Sequence, residues 1–148
     1  MSQSDDLMEP YSSIRQLFQN SPEGEPLPFC LTKDEAFERA HKILSEHPKK
    51  VVRVVGSWRW LDLDVEESEL TRYEEIGVIP AVLFATQLFH DFNGRMSPGG
   101  WVCSSTLVEG SQPGPVLTTR NSCYVLAGSG RRHLAAPTAI ETIYNRGI

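Results

Sequence analysis

The sequence predicts an α+β domain with a curved antiparallel sheet or a small open β-barrel-like core, one main helix and a short C-terminal helix. One observation is a capped, amphipathic segment at residues 33–47. A second is the concentration of β-branched and aromatic residues between 51 and 128, interrupted by turn residues. A third is that helices and strands do not alternate along the chain, which disfavours a doubly wound parallel sheet. The length of 148 residues suits one domain with its own core.

The first residues are predicted to stand apart from the domain. Residues 1–28 are expected to form an N-terminal arm, partly disordered or packed against a single α+β domain at 29–148. A short helix is expected at 12–20, because apolar side chains recur there at helical spacing. The stretch 21–28 is rich in proline and glycine and is therefore predicted to be irregular.

The clearest helix is predicted over residues 33–47. Thr32 and Glu35 have the spacing of a capping box, in which each side chain accepts a hydrogen bond from the backbone N–H of the other residue. Pro48 ends the helix, because proline has no N–H to donate and disfavours a helical residue before it. The apolar stripe that needs a sheet to cover it consists of Phe37, Ala40, Ile43 and Leu44.

Strand-forming residues follow this helix. Residues 51–55 and 58–63 are predicted to form one bent strand or two strands separated at Gly56. Because successive side chains of a strand point to opposite faces, Trp58 and Trp60 share one face. The other face carries Arg59, Leu61 and Leu63.

The middle of the chain is predicted to contain a helix, a strand and a turn. The acidic segment 66–76 is predicted as a weakly amphipathic helix, with a loop as the alternative. Residues 82–90 are predicted as a largely buried strand. Asn93–Gly94 is the residue pair typical of a two-residue type I′ hairpin turn.

A β-hairpin from Trp101 to Gly128 is predicted as the centre of the fold. Residues 110–115 form its turn, and a symmetric pairing places Cys103 opposite Cys123. After it, the glycine-rich turn 128–132 carries two arginines, and Pro137 is predicted to begin the short C-terminal helix.

Charge and cysteine content limit the classes of function. Residues 1–80 carry 16 acidic and 9 basic side chains, a net charge of −7, whereas residues 81–148 carry 3 acidic and 5 basic side chains, a net charge of +2. The overall charge of −5 disfavours a general nucleic-acid binder. Three cysteines form neither a disulfide framework nor a paired zinc motif. The absence of a signal peptide or long apolar run predicts a cytoplasmic protein without a membrane partner.

Two stretches carry a specific pattern of turns and strands, FHDFNGRMSPGGWVCSSTLV at 89–108 and VLTTRNSCYVLAGSGRR at 116–132. They resemble an uncharacterised family of small proteins from pseudomonads and related bacteria. Its pattern has an Asp-x-x-Gly-Arg turn, a Gly-Asp-Trp-Val strand, a Thr-Arg-Asn-Ser/Thr-x-Tyr-x-Leu strand and a Gly-x-Gly-Arg-Arg turn. The matching residues are Asp91, Gly94, Arg95, Gly99, Trp101, Val102, Thr119, Arg120, Asn121, Ser122, Tyr124, Leu126, Gly128, Gly130, Arg131 and Arg132.

The chain departs from that pattern at Gly100, where an acidic residue is expected, and at Cys103, where the family has arginine. The resemblance implies a bacterial or phage-borne protein of the cytosol. It implies no particular activity or cofactor. Genes of this sort often lie in variable genomic regions, so regulation and phage–host conflict are the settings it suggests.

Four arginines are candidates for binding an anion: Arg95, Arg120, Arg131 and Arg132. The turn at 128–132 offers backbone N–H groups beside two of them, but it lacks the lysine and the strand–helix context of a phosphate-binding loop. The alternative is a flexible turn with solvated arginines. For Arg120 the alternative is a bulge within the returning strand.

Trp58 and Trp60 are candidates for a protein-binding patch if they are exposed beside the acidic residues Asp62 and Asp64. The alternative is that both indoles lie in the core, where tryptophan is highly buried on average. A Cys- or His-dependent enzyme is a weaker alternative, since Cys103 lies in no nucleophile-elbow motif. No catalytic residue, metal site or cofactor is predicted.

These observations predict a non-enzymatic interaction or regulatory protein that binds a protein partner. The main alternative is a small β-rich module that binds nucleic acid or a nucleotide through the four arginines, with Trp101 or Tyr124 stacking on a base. The oligomeric state is not predicted from the sequence.

Overall fold

The computed structural model describes residues 24–27 and 31–138, which form an α+β domain around a seven-stranded mixed sheet that is not closed. This confirms the predicted fold class. The helices are α1 (Lys33–Glu46) and α2 (Glu67–Glu75). The strands are β1 (Glu25–Leu27), β2 (Val52–Leu63), β3 (Ala81–Asp91), β4 (Val102–Cys103), β5 (Val116–Thr118), β6 (Cys123–Ala127) and β7 (Gly130–Ala135).

Strand β2 is the centre of the sheet. It pairs along most of its length with β3, antiparallel, and on its other side it pairs in parallel with β6 and then with β7. The sequence predicted an antiparallel sheet and missed these parallel pairs. They arise because the chain leaves β6 and continues in the same direction into β7, so that two short strands share one edge of β2.

The two faces of β2 follow the predicted alternation. Trp58 and Trp60 pack in one core cluster with residues from β3, β5 and β6, whereas Leu61 and Leu63 pack in another. Val55 lies in the same core cluster as Trp58, although Trp58 follows it by three residues in the strand. Regular alternation would separate these two side chains, and the left-handed Ser57 between them, with φ of 49°, interrupts it.

Helix α1 packs over the first half of β2 and over β6. Thr32 and Glu35 form the predicted capping box, with backbone-to-side-chain distances of 2.9 and 3.1 Å. The fully buried Ala36 and Ala40 pack in a cluster with Val52 and the other residues of β2 and β6 beneath the helix. Small residues at these positions bring the helix backbone close to the sheet. Helix α2 confirms the second predicted helix, and it buries none of its residues.

The predicted Trp101–Gly128 hairpin is wrong in its pairing. Cys103 of β4 pairs with Phe84 of β3, whereas Cys123 of β6 pairs with Thr118 of β5. The two cysteines are therefore not cross-strand partners. The actual hairpin is shorter, because a turn at residues 119–122 closes it.

That turn replaces the predicted in-strand bulge at Arg120–Ser122. The N–H of Thr119 donates to the carbonyl of Ser122 at 2.9 Å, and the N–H of Ser122 donates to the Thr119 hydroxyl at 3.0 Å. A threonine hydroxyl that bonds to the backbone in this way stabilises a local turn. Arg120 is left exposed at its tip.

The predicted type I′ turn at Asn93–Gly94 is also wrong. That turn needs positive φ at both residues, and among the described residues Ser57 is the only non-glycine with positive φ. Instead the Asp91 carboxylate accepts hydrogen bonds from the N–H groups of Asn93, Arg95 and Met96, at 3.0 to 3.1 Å. A side chain, rather than a strand partner, therefore organises the chain after β3.

Asp91 also belongs to a buried polar cluster that joins three strands. Arg53 Nε lies 3.4 Å from Asp91 Oδ2, and Arg53 Nη1 donates to Tyr124 Oη at 3.0 Å and to Ser122 Oγ at 3.4 Å. Burial raises the pKa of the Asp91 carboxyl, but the N–H donors of Asn93 and Met96 and the Arg53 guanidinium outweigh burial and hold that pKa below its usual range.

The chain ends differ from prediction where they are described. Residues 25–27, expected to be irregular, form β1, which pairs antiparallel with β7 from Glu25↔Arg132 to Leu27↔Gly130. The helix predicted at 12–20 lies outside the described residues. Pro137 and Thr138 are helical, and the rest of the predicted C-terminal helix also lies outside them.

We expect Asp91→Asn to lower the free energy of unfolding by about 2 to 4 kcal/mol, because it leaves the buried Arg53 without its counter-charge and weakens the turn. Chemical denaturation at pH 7 measures this loss. Asp64→Asn removes a carboxylate from an exposed residue and serves as the control.

The destabilisation by Asp91→Asn depends on pH. Since the folded pKa of Asp91 is depressed, its stabilisation is present above the unfolded pKa of about 3.9 and is lost as pH falls through the folded value. The difference between wild type and variant should therefore narrow below about pH 4. An equal difference at pH 7 and pH 3 would contradict this account.

Candidate anion-binding groove

A groove opens where the edge of β2 passes from β6 to β7. Its volume is about 400 Å³. Trp58 and Gly130 form the floor, and the residues that surround it are Ser57, Arg59, Thr86, Ser129 and Arg131.

The groove exists because the two parallel pairings do not join in register. The β6 pairing ends at Gly56↔Ala127 and the β7 pairing begins at Arg59↔Arg131, so residues 128–130 oppose only Ser57 and Trp58. The extra residue makes a bulge, which the left-handed Gly128, with φ of 75°, permits. The backbone hydrogen bonds between β2 and its parallel partners are interrupted there, and the surface opens.

The floor of the groove is closely packed. Trp58 is 1% exposed, and its Nε1 donates to the carbonyl of Gly128 at 2.9 Å. The indole ring lies directly against Gly130, where a Cβ atom would overlap the ring. Trp58 therefore anchors the bulge to the core from below.

Two arginines border the groove from neighbouring strands. Arg59 and Arg131 are register partners in the parallel β2–β7 pair, so their side chains leave the same face of the sheet. Arg59 Nη1 lies 2.6 Å from Nε2 of the fully buried His133. Because a guanidinium can only donate, His133 accepts at Nε2 and carries its proton on Nδ1. This contact fixes the orientation of Arg59.

Arg131 is held more loosely. Its Nη1 donates to the carbonyl of Gly24 at 3.5 Å, next to β1. Within the described ranges it forms no ion pair with a carboxylate. Thr86 adds a hydroxyl on the β3 side, 3.5 Å from the Ser57 carbonyl to which it donates. The groove is therefore rich in hydrogen-bond donors and carries two permanent positive charges.

Arg132 points away from the groove. It makes a bidentate pair with Asp62, at 2.6 and 3.1 Å, and its guanidinium lies 5.5 Å from the centre of the Trp60 ring. The hydrogen bonds to Asp62 raise the pKa of Arg132. This arginine, predicted as an anion ligand, is occupied by a carboxylate of its own chain.

The four predicted arginines do not form one cluster. Arg95 follows Asp91, which pairs with Arg53, whereas Arg131 pairs with Arg59 further along β2. Six residues of strand separate the two positions by about 20 Å. Arg120 lies near the Arg95 end, in the β5–β6 turn that leads into Cys123 opposite Val52. Only Arg131 of the four borders the groove.

For the candidate tryptophan patch, the structure confirms the alternative in which both indoles lie in the core. Trp58 and Trp60 are 1% and 2% exposed and belong to the core. Trp101, a candidate stacking residue, is half-buried against Phe84, and Tyr124 is buried beside Arg53. The described surface therefore presents neither indole of β2 to a partner.

Among the described residues, no cysteine or histidine lines the groove. Cys123 is buried beneath α1, and burial raises the pKa of its thiol, which disfavours the reactive thiolate. Exposed His90 packs edge-on against Phe92, with ring centres 4.5 Å apart. In the described part of the chain, no three His, Cys, Asp or Glu side chains are grouped to hold a metal ion.

The sequence predicts one side of the groove and does not predict the other. Ser129, Gly130 and Arg131 belong to the turn at 128–132, which is the candidate for binding an anion. Arg59 and Thr86 are not among the predicted site residues. The signal for Arg59 was its place among leucines on the face opposite the tryptophans, where a charged side chain needs a partner or a ligand.

The fold and the groove define an α+β domain with an open mixed sheet and a two-arginine depression at a break in its central edge. The chain belongs to the family described as a domain of unknown function, DUF6957, whose model matches residues 29–142. No curated protein and no solved structure matches the chain significantly. None of the helices in the described ranges has the length and apolar character needed to cross a membrane.

We expect Gly130→Ala to lower the free energy of unfolding by about 1 to 3 kcal/mol, because its methyl group would overlap the buried Trp58 ring. Thermal or chemical denaturation, followed by tryptophan fluorescence, measures the effect. Gly100→Ala is the matched control, since the nearest atom to a Cβ there lies 3.8 Å away. Equal stability of both variants would show that Gly130 does not define the floor.

Proposed function

We propose that this protein is a non-enzymatic binding protein that takes a compact anionic group of its partner, a carboxylate or a phosphate, into the groove at the β6–β7 break. The observation that carries the proposal is the register of Arg59 opposite Arg131, which places two arginine residues from neighbouring strands at one cavity. Guanidinium groups bind such oxyanions with paired, charge-assisted hydrogen bonds.

The other groove residues support the same chemistry. Ser57 and Ser129 add hydroxyl donors beside the two cations, and the hydroxyl of Thr86 donates to the Ser57 carbonyl at the β3 side. His133 supports Arg59 from the buried side, so part of the entropic cost of ordering that side chain is met before a ligand arrives. The groove contains donors suited to holding an anion, and the buried His133 behind Arg59 acts as an acceptor.

Charge distribution favours a single anionic group over a long polyanion. The chain has a net charge of −5, which repels nucleic acid at long range. Arg95 and Arg120 lie far from the groove and do not extend it into a basic track. We therefore favour a protein partner that presents an anionic side chain. Its place in regulation or phage–host conflict, in a bacterial cytosol, stays a prediction from the sequence.

We expect titration with inorganic phosphate to shift the backbone amide resonances of Ser57, Ser129 and Gly130 in ¹H–¹⁵N NMR spectra. Arg131→Gln should weaken this binding about tenfold or more, because it removes one of the two charges. Arg131 is a better target than Arg59, whose loss would also disturb the buried His133.

Arg95→Gln is the control, since it makes the same change of charge at an exposed site away from the groove. It should leave phosphate affinity within twofold of wild type. Equal weakening by both substitutions would mean that phosphate senses only the net charge, and the proposal would then be wrong.

A further inference from the structure

The groove continues beyond the two arginines. A second depression, with a volume of about 380 Å³, shares Ser57 and Ser129 with the first. Its far side is formed by Lys33 at the start of α1 and by Gln87 and Phe89 of β3. The two serines thus form the shared boundary between two compartments. The first compartment contains two arginines, and the second contains one lysine.

We propose that the two compartments together bind an extended acidic peptide segment, with one carboxylate at Arg59 and Arg131 and a second carboxylate at Lys33. This inference rests on the proposed function and names the class of partner for that site. The hydroxyl groups of Ser57 and Ser129, which both compartments share, lie between the charges, where they match the polar backbone of a peptide.

The position of Lys33 supports a second charge site. Its Nζ lies 4.6 Å from the centre of the Phe89 ring, a cation–π contact that holds the ammonium group beside the compartment. The N-terminus of α1 does not itself supply this charge site, because Thr32 and Glu35 already cap it. The charge of the second compartment therefore comes from the lysine side chain.

Spacing along β2 sets the length of the ligand. The Phe89 ring beside Lys33 lies against Gly56, and Arg59 follows Gly56 by three residues of strand, a span of about 10 Å. An extended peptide covers the same length in three residues. Two acidic residues separated by two glycines fit this distance, because glycine lets the backbone depart from the strict alternation that would point the two carboxylates to opposite sides.

The aromatic residues of the groove favour a peptide over a nucleotide. A nucleotide base needs an open ring face for stacking. The Phe89 ring has Lys33 above it, and Trp58 is 1% exposed. Neither ring offers such a face, so the contacts available to a ligand are charges and hydrogen bonds.

The test uses fluorescein-labelled, amide-capped peptides with two aspartates separated by zero to four glycines, and measures binding to the full chain by fluorescence anisotropy. We expect the tightest binding near two glycines, at least fivefold tighter than with none and than with one aspartate replaced by asparagine. Lys33→Gln should abolish this dependence on spacing, whereas Lys42→Gln, on the same helix outside both compartments, should retain it.

The outcomes separate this inference from the proposed function. Phosphate binding that depends on Arg131, together with peptide affinity that ignores spacing and Lys33, would overturn the inference alone. If neither phosphate binding nor peptide binding depends on Arg131, the proposed function would be overturned as well. Adenosine diphosphate that binds more tightly than every peptide, in a Lys33-dependent way, would also overturn the inference and identify a nucleotide site. Circular dichroism confirms that each variant is folded.

Discussion

The structure depends on the need of one long strand for hydrogen-bond partners on both edges. β2 runs from Val52 to Leu63, and β3 accompanies it on one side with a single irregularity between Val54 and Val55. On the other side the chain provides β6 and β7, which are each about half as long. Backbone groups at a buried strand edge are costly when they are left unpaired, so the two short strands must lie end to end along β2. The groove is the consequence of that join, because the pairing on its two sides differs by one residue.

Arginines along β2 and β7 have separate roles that follow from their surroundings. Arg53 is 9% exposed and joins Asp91 and Tyr124 inside the sheet, so it serves the fold. Arg132 is taken by Asp62 through two hydrogen bonds. At the join the chain provides no such carboxylate for Arg131 among the residues that the structure describes. A charge kept at the surface without a counter-charge contributes little to stability, and its placement beside a second arginine is the basis of the binding that we propose.

Local chemistry made part of this structure predictable. The capping box of α1 and the alternating faces of Trp58 and Leu61 depend on residues a few positions apart, and both were predicted correctly. The hairpin register depends on which distant strands compete for the same edge. β3 takes Cys103, and the turn that begins at Thr119 leaves Cys123 to pair with β5. The groove was half predictable for the same reason, since its Arg131 side is a recognisable turn, whereas its Arg59 side requires knowledge of the parallel β2–β7 pair.

The bulge also supports the proposed binding over catalysis at this site. A groove made by interrupted pairing exposes donors, here guanidinium groups and hydroxyls, and donors stabilise an anion without changing its bonds. A nucleophile or base would need an activated side chain within reach. Cys123 is buried beneath α1 with a raised pKa, and His133 already accepts a hydrogen bond from Arg59. What the join adds to a stable sheet is a small positive region on an acidic protein. In the binding that we propose, such a region attracts a short acidic segment at close range, while the net negative charge of the chain disfavours longer polyanions.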